Sequence, residues 1–238
     1  AFANRLTDDQ HPLTARVLVN RFWLHHFGRG IVDTPGDFGQ LGERPSHPEL
    51  LDWLADCFQQ NNYSLKSLHR LIVTSMTYRQ SSASRPDALG RDRDNRLLWR
   101  FAPKRLEGEA VRDSLLQAAG MLNTQQSGPS YEDVKEIHFN AGRYYNPIEV
   151  KGPKFDRRTI YRFSPRGERD AILDTFDCPD PSATAPTRAV TTTPLQALSL
   201  SNNVFVWRMA DGLANRVQKE AGEAPPGQVR RAWRLSLG

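Results

Sequence analysis

Ser46-His47-Pro48-Glu49-Leu50-Leu51-Asp52-Trp53-Leu54-Ala55-Asp56-Cys57-Phe58-Gln59-Gln60 is the stretch that decides the fold. Ser46 and Glu49 stand three apart ahead of an apolar run, the spacing of a capping box. Pro48 falls in the first turn, where its missing N–H costs nothing. Beyond it Leu50, Leu51, Trp53, Leu54, Cys57 and Phe58 share one side, and Glu49, Asp52, Asp56, Gln59 and Gln60 the other. The period is helical, and it predicts an amphipathic helix over 47–60. Asn61-Asn62 stops it. Ser64 opens a second helix to about Thr77, with Leu65, Leu68, Ile72, Val73 and Met76 turned inward, and the short link makes the two an antiparallel hairpin.

The same signals extend outward. A helix from about Leu13 to Phe27 is apolar almost all round, so it is placed centrally; Gly28 ends it. Residues 28–46 carry five glycines and Pro35 and Pro45, a long loop of the kind that is either functional or a packed cover. Residues 81–94 read as a polar linker. A helix over about 105–122 puts Val111, Leu115, Ala118 and Leu122 on one stripe. Residues 123–157 lack helical period and read as irregular or short-stranded; Thr159-Ile160-Tyr161-Arg162-Phe163 alternates as a strand does. Helices are expected at about 167–175, after Thr193 at 194–201, and at about 203–218, the last with Phe205, Met209, Leu213 and Val217 on one face. The prediction is a mainly α, bundle-like domain with a small irregular or β portion near residues 130–165. It is taken as one domain over 1–238 whose two ends stop in mid-helix, as cuts would.

Composition narrows the classes. The net charge is +5, and of 32 basic residues only six are Lys. Arginine suits bidentate pairing with carboxylate, sulfate or phosphate, which permits an acidic partner, but 27 interspersed acids make internal Arg–carboxylate pairing the simpler reading. No apolar run approaches the roughly 20 residues of a membrane-spanning helix. Cys57 and Cys178 belong to no CxxC or CxxCH motif, so no zinc cluster or haem attachment is expected in this chain. Cys57, in mid-stripe, reads as a buried, inert thiol; whether the two cysteines meet is open.

Spaced motifs run along the whole chain: Asn20-Arg21-Phe22-Trp23-Leu24-His25-His26-Phe27-Gly28-Arg29-Gly30, Thr34-Pro35-Gly36-Asp37-Phe38-Gly39, His47-Pro48-Glu49-Leu50-Leu51-Asp52-Trp53-Leu54, Leu68-His69-Arg70-Leu71-Ile72, Thr77-Tyr78-Arg79-Gln80-Ser81, Arg105-Leu106-Glu107, and Pro194-Leu195-Gln196-Ala197-Leu198. Together they resemble the planctomycete-type domain of unknown function numbered fifteen-fifty-three. The resemblance implies the C-terminal part of a large exported protein that continues beyond Gly238. Upstream in that protein a cytochrome c-like domain often carries haem. It implies no catalytic residues.

Candidate sites follow from residue chemistry. His26, His47 and His69 fall on apolar faces. The simple reading is hydrogen-bonded core histidines; the sharper one gathers His25 or His26 with Asp37, His47 and Arg188 into a site at loop 28–46. Asp37 also suits an Asx turn. Asp174, Asp177 and Asp180 offer oxygen ligands to calcium but lack the EF-hand spacing, and turn formation is the simpler reading, so no metal is expected. Arg143-Tyr144-Tyr145 through Lys151, Lys154, Arg157, Arg158 and Tyr161 mixes base with aromatic, the composition of a surface for sugars or sulfated glycans; export argues against nucleic acid, and an ordinary solvated loop is the simpler reading. The first expectation is a non-catalytic scaffold or interaction module, touching an acidic polysaccharide or a cytochrome c-like neighbour in the same polypeptide. The alternative is an extracellular hydrolase of complex polysaccharide with its site at loop 28–46.

Overall fold

A computed structural model describes residues 2–6, 8, 11–140 and 142–238. The protein is mainly helical, with eleven α-helices and one two-stranded antiparallel sheet among the described residues. The sequence reading treats the chain as one domain; the fold divides into two compact units, 1–104 and 105–238. Each unit has its own buried apolar cluster.

The first unit holds α1 (Phe2–Leu6), α2 (Thr14–Phe27), α3 (Pro48–Gln60), α4 (Leu65–Thr74), α5 (Met76–Arg79) and α6 (Pro86–Arg91). Ala15, Val19, Trp23 and Phe27, four residues apart on α2, are buried against Leu51, Leu54, Ala55 and Phe58 of α3 and Leu68 and Ile72 of α4. Trp23 and Phe27 stack at 4.2 Å. The capping box expected at Ser46 does not form. His47 is the N-cap of α3 and no side chain caps it, because Ser46 Oγ donates back to the Ile31 carbonyl instead. The helix expected to run to Thr77 breaks at Ser75, whose hydroxyl accepts from the Tyr78 N–H and starts α5 afresh. The break shifts the register, so Met76 is exposed rather than inward; Leu65 is exposed too. The expected linker 81–94 carries the short α6.

The loop between α2 and α3 is a packed cover. Ile31 and Val32 are buried in the core, and Asn20, fully buried on α2, accepts from the Val32 N–H at 2.8 Å and donates to its carbonyl at 3.0 Å. Gly30 allows that clamp, since a Cβ there would stand 2.3 Å from the Val32 oxygen and 2.9 Å from Asn20 Nδ2.

The second unit holds α7 (Gly108–Ala119), β1 (Val134–Phe139), β2 (Gly142–Pro147), α8 (Ala171–Thr175), α9 (Pro194–Asn202), α10 (Val204–Ala221) and α11 (Pro225–Leu237). The buried stripe of α7 is Gly108, Arg112, Leu116 and Ala119, one position on from the stripe expected at Val111, Leu115 and Ala118. The cause is Arg112, a buried cation whose guanidinium donates to the carbonyls of Phe155 and Arg157 and to Thr159 Oγ1. Leu116 and Ala119 pack on Met209 of α10, and Gly212 lets α10 come close: a Cβ there would lie 2.8 Å from Met121 Sδ. Met209 and Val217 of α10 are buried as the spacing predicts. Thr193 caps α9 in a full capping box with Gln196. Thr159–Tyr161, expected as a strand, is a 3₁₀ turn. Asp113 of α7 fixes it by accepting from the Thr159 N–H and hydroxyl, and only the chain just beyond pairs with Tyr131.

Candidate functional site

The residues singled out in the first unit do not gather. His26 Nε2 lies 2.7 Å from His69 Nδ1, between Tyr78 and the edge of the α2–α4 packing. Burial, then the charges of His69, Lys104 and His25, hold His26 below its ordinary pKa and favour its neutral form. His25 is exposed, and its carbonyl accepts from Lys104 Nζ. Asp37 Oδ1 accepts from the Gly39 N–H in an Asx turn. His47 Nδ1 is 2.9 Å from Ser46 Oγ and borders a hollow of about 60 Å³ that neither His26 nor Asp37 lines. That volume is far below the ~300 Å³ at which ligand clefts begin.

Arg188 belongs to the second unit. It makes a bidentate pair with Glu109 of α7 at 2.7 and 2.8 Å. Burial opposes ionisation of Glu109, but Arg188 and the backbone outweigh it and hold the carboxyl below its ordinary range. Cys178 lies 3.6 Å from Glu109; burial and that carboxylate push its thiol up to about 11. Cys57 and Cys178 are free thiols, one in each unit. Asp177 accepts from the N–H and hydroxyl of Thr191. Asp180 accepts from Arg169 and from the Ser182 N–H and hydroxyl, and the Ser182 contacts, then Arg169, draw it down to about 2. Among the described residues no group of three or more His, Cys, Asp or Glu is placed to hold a metal ion.

The basic and aromatic stretch divides in two. Arg157 is buried: it donates to the carbonyls of Pro129, Gln125 and Ser127 and lies 4.0 Å over the Tyr161 ring, so it holds the loop together. Arg158 is exposed and pairs with Asp113 at 3.5 Å. Tyr145 packs on Phe163. The hairpin β1–β2 presents the rest. Its register pairs Lys135 with Asn146, Ile137 with Tyr144 and Phe139 with Gly142, and opposite residues share a face. Ile137, Phe139 and Tyr144 therefore lie together, and all three are exposed. A Cβ on Gly142 would meet the Tyr144 ring at 2.9 Å, so glycine lets that ring lie down along the strand beside Phe139. On the other face Glu136 pairs with His138 and Arg143.

The second unit also contains a cleft of about 530 Å³ between the chain after β2, the start of α8 and the first turns of α10. That volume is within the range of ligand sites. Beneath it lies an ion network that sequence reading missed. Arg162, with 4% of its side chain exposed, donates to Asp133 at 2.8 Å and to Glu168 at 3.1 Å. Burial opposes its charge, but the two carboxylates outweigh that and raise its pKa further. Asp133 Oδ1 and Glu168 Oε1 are buried and accept no hydrogen bond among the described residues. Tyr131 shares the network, and burial pushes its phenol up to about 12. The cations on the wall all have acceptors: Arg208 is held by both oxygens of Asp156, Lys151 by Glu149, Arg169 by Asp174 and Asp180, and Arg112 by carbonyls. The one signal for this network in the sequence is the excess of Arg over Lys, the residue suited to buried ion pairs.

No helix of the described chain is long and apolar enough to cross a membrane. No curated protein and no solved structure matches the chain. The family model named PSD1, described as protein of unknown function (DUF1553), matches residues 1–238, and the chain belongs to that family.

Proposed function

We propose that the chain is a non-catalytic interaction module of an exported protein, and that it grips an acidic polysaccharide through the β1–β2 hairpin. The carrying observation is the exposed face of Tyr144, Phe139 and Ile137, with Tyr144 laid flat over Gly142 and Lys135 on the same face. Flat aromatic surface takes the apolar face of a sugar ring, and the cations take its carboxylates or sulfates. Lys135, Lys151, Lys154 and Arg158 surround the hairpin in the sequence and are exposed. An isolated two-stranded hairpin is marginal in water, and only Val134 of β1 is buried, so a partner laid on this face would stabilise it. Against catalysis at loop 28–46 stands the commitment of His26, Asp37 and His47 to separate internal hydrogen bonds.

Affinity electrophoresis through polygalacturonate, with dextran as the uncharged control, tests the reading. The wild-type chain is retarded by polygalacturonate and released by salt, as screening requires. Tyr144→Ala with Lys135→Ala weakens retention about ten-fold, or ~1.4 kcal/mol. No retardation, or retention indifferent to both substitutions, overturns it.

One observation favours a second partner. On α9 the polar Gln196 is buried, at 2% exposure, while Leu195 and Leu198 are 60% and 55% exposed. That inversion suits docking to another domain of the same polypeptide, such as a cytochrome c-like neighbour. In the full-length protein Leu195→Ser with Leu198→Ser would then free the neighbouring domain to limited proteolysis; an unchanged digestion pattern removes this reading.

A further inference from the structure

We propose that the cleft of the second unit binds a small organic cation, an aliphatic di- or polyamine. The cleft borders the end of β2 at Pro147 and includes Lys151, but none of Ile137, Phe139 and Tyr144 lines it, and amine binding does not depend on polysaccharide binding.

Three observations converge. First, Trp207 and Asp211 stand one helical turn apart on α10 and both line the cleft; side chains at i and i+4 share a helix face. The Trp207 ring is 61% exposed and its Nε1 is fixed by the Ser201 carbonyl. Asp211 is exposed and, among the described residues, its carboxylate makes no ion pair or hydrogen bond. A free carboxylate beside an open indole face is the arrangement that holds an ammonium group, one by charge and the other by its quadrupole.

Second, a buried carboxylate on the cleft lining keeps an acceptor oxygen unused. Glu168 has 4% of its side chain exposed, shares Arg162 with Asp133, and keeps Oε1 without a donor. Two carboxylates on that one guanidinium favour a cation locally, while the lining as a whole is balanced, with Asp133, Glu149, Glu168, Asp170 and Asp211 against Arg112, Lys151, Arg162, Arg169 and Arg208.

Third, the competing ligand classes fit less well. The wall cations are already matched by acceptors, so an anion would meet no free donor and the unpaired Asp211. The Phe205 ring is taken by the guanidiniums of Arg112 and Arg208, at 5.2 and 5.3 Å, which leaves Trp207 as the aromatic face for an incoming cation. The apolar wall of Ile148, Val150 and Ile172 suits a methylene stem and offers a hydrated divalent metal nothing.

The test is isothermal titration of the full chain with cadaverine and with spermidine, against cellobiose, inorganic phosphate and calcium as other classes. One amine per chain is expected, more weakly at high salt. Asp211→Asn and Trp207→Ala, both at exposed positions, each weaken it about three-fold and together about ten-fold. Glu168→Gln weakens it further, but that residue also holds Arg162, so the two exposed variants decide the matter. Four results overturn the proposal: no saturable heat with either amine; amine binding unchanged in the double variant; many weakly held amines per chain that follow salt but not the variants; or cellobiose, phosphate or calcium binding at the cleft in their place.

Discussion

At the scale of single residues, the informative side chains are polar groups placed where apolar ones are expected. Asn20 is the clearest. It sits on the buried face of α2 and satisfies both backbone groups of Val32. Asn20→Ala leaves a buried donor and acceptor unpaired, and it is expected to cost about 3 kcal/mol, read as a lowered urea midpoint with unchanged slope. His26 is set by the same logic. Its native pKa is below the ordinary value of 6.5, so the unfolded chain binds the proton more tightly. Stability from neutral His26 is fully present above about 6.5 and is lost as pH falls through that value toward its lowered native pKa. The first unit should therefore weaken as pH falls below about 6.5, and in His26→Gln that part of the slope should flatten. Cys178 gives a third readout: with its thiol near 11, the native protein at pH 8 holds about one part in a thousand as thiolate. Disulfide reagents should therefore label it slowly until the chain is unfolded.

At the scale of elements, helix existence and the position of most helix starts were legible, and the faces were less so. The period of α3 placed it within a residue of its observed bounds, and that of α10 placed its start within a residue but ended it three residues short of Ala221. The Thr193 start of α9 is a full capping box, and Thr193→Ala should cost about 1 kcal/mol. Misreadings came where a side chain found a tertiary partner that no local pattern reports. Ser46 bonds Ile31 rather than capping α3. Arg112 turns the α7 stripe by one residue because loop carbonyls wait for it. Thr159 is pulled into a turn by Asp113. Arg112→Met keeps the length but strands the Phe155 and Arg157 carbonyls, and should destabilise the second unit by about 2–4 kcal/mol.

At the scale of the whole molecule, the two units should respond to acid in different windows. In the first, His26 acts from about pH 6.5 downward. In the second, Glu109 is held below its ordinary value of 4.5 by Arg188. The stability it contributes is present above about 4.5 and is lost only as pH falls through its lowered native value. Region-resolved hydrogen exchange across that range should show residues 1–104 losing protection before residues 105–238. Loss of both together, or in the reverse order, would contradict these assignments. The sequence by itself determined the helical class, the positions of α2, α3 and α9 and the start of α10, a small irregular or β portion near residues 130–165 and the family, because apolar period, caps and turn residues act over a few neighbours. Only the tertiary structure decided that there are two cores, that the suggested histidine site is not assembled, that Tyr144 and not Arg157 belongs to an open face, and that a cleft lined by Trp207 and Asp211 lies beside α10. Those features depend on which distant carboxylate or carbonyl meets each arginine, and nothing local in the chain encodes that pairing.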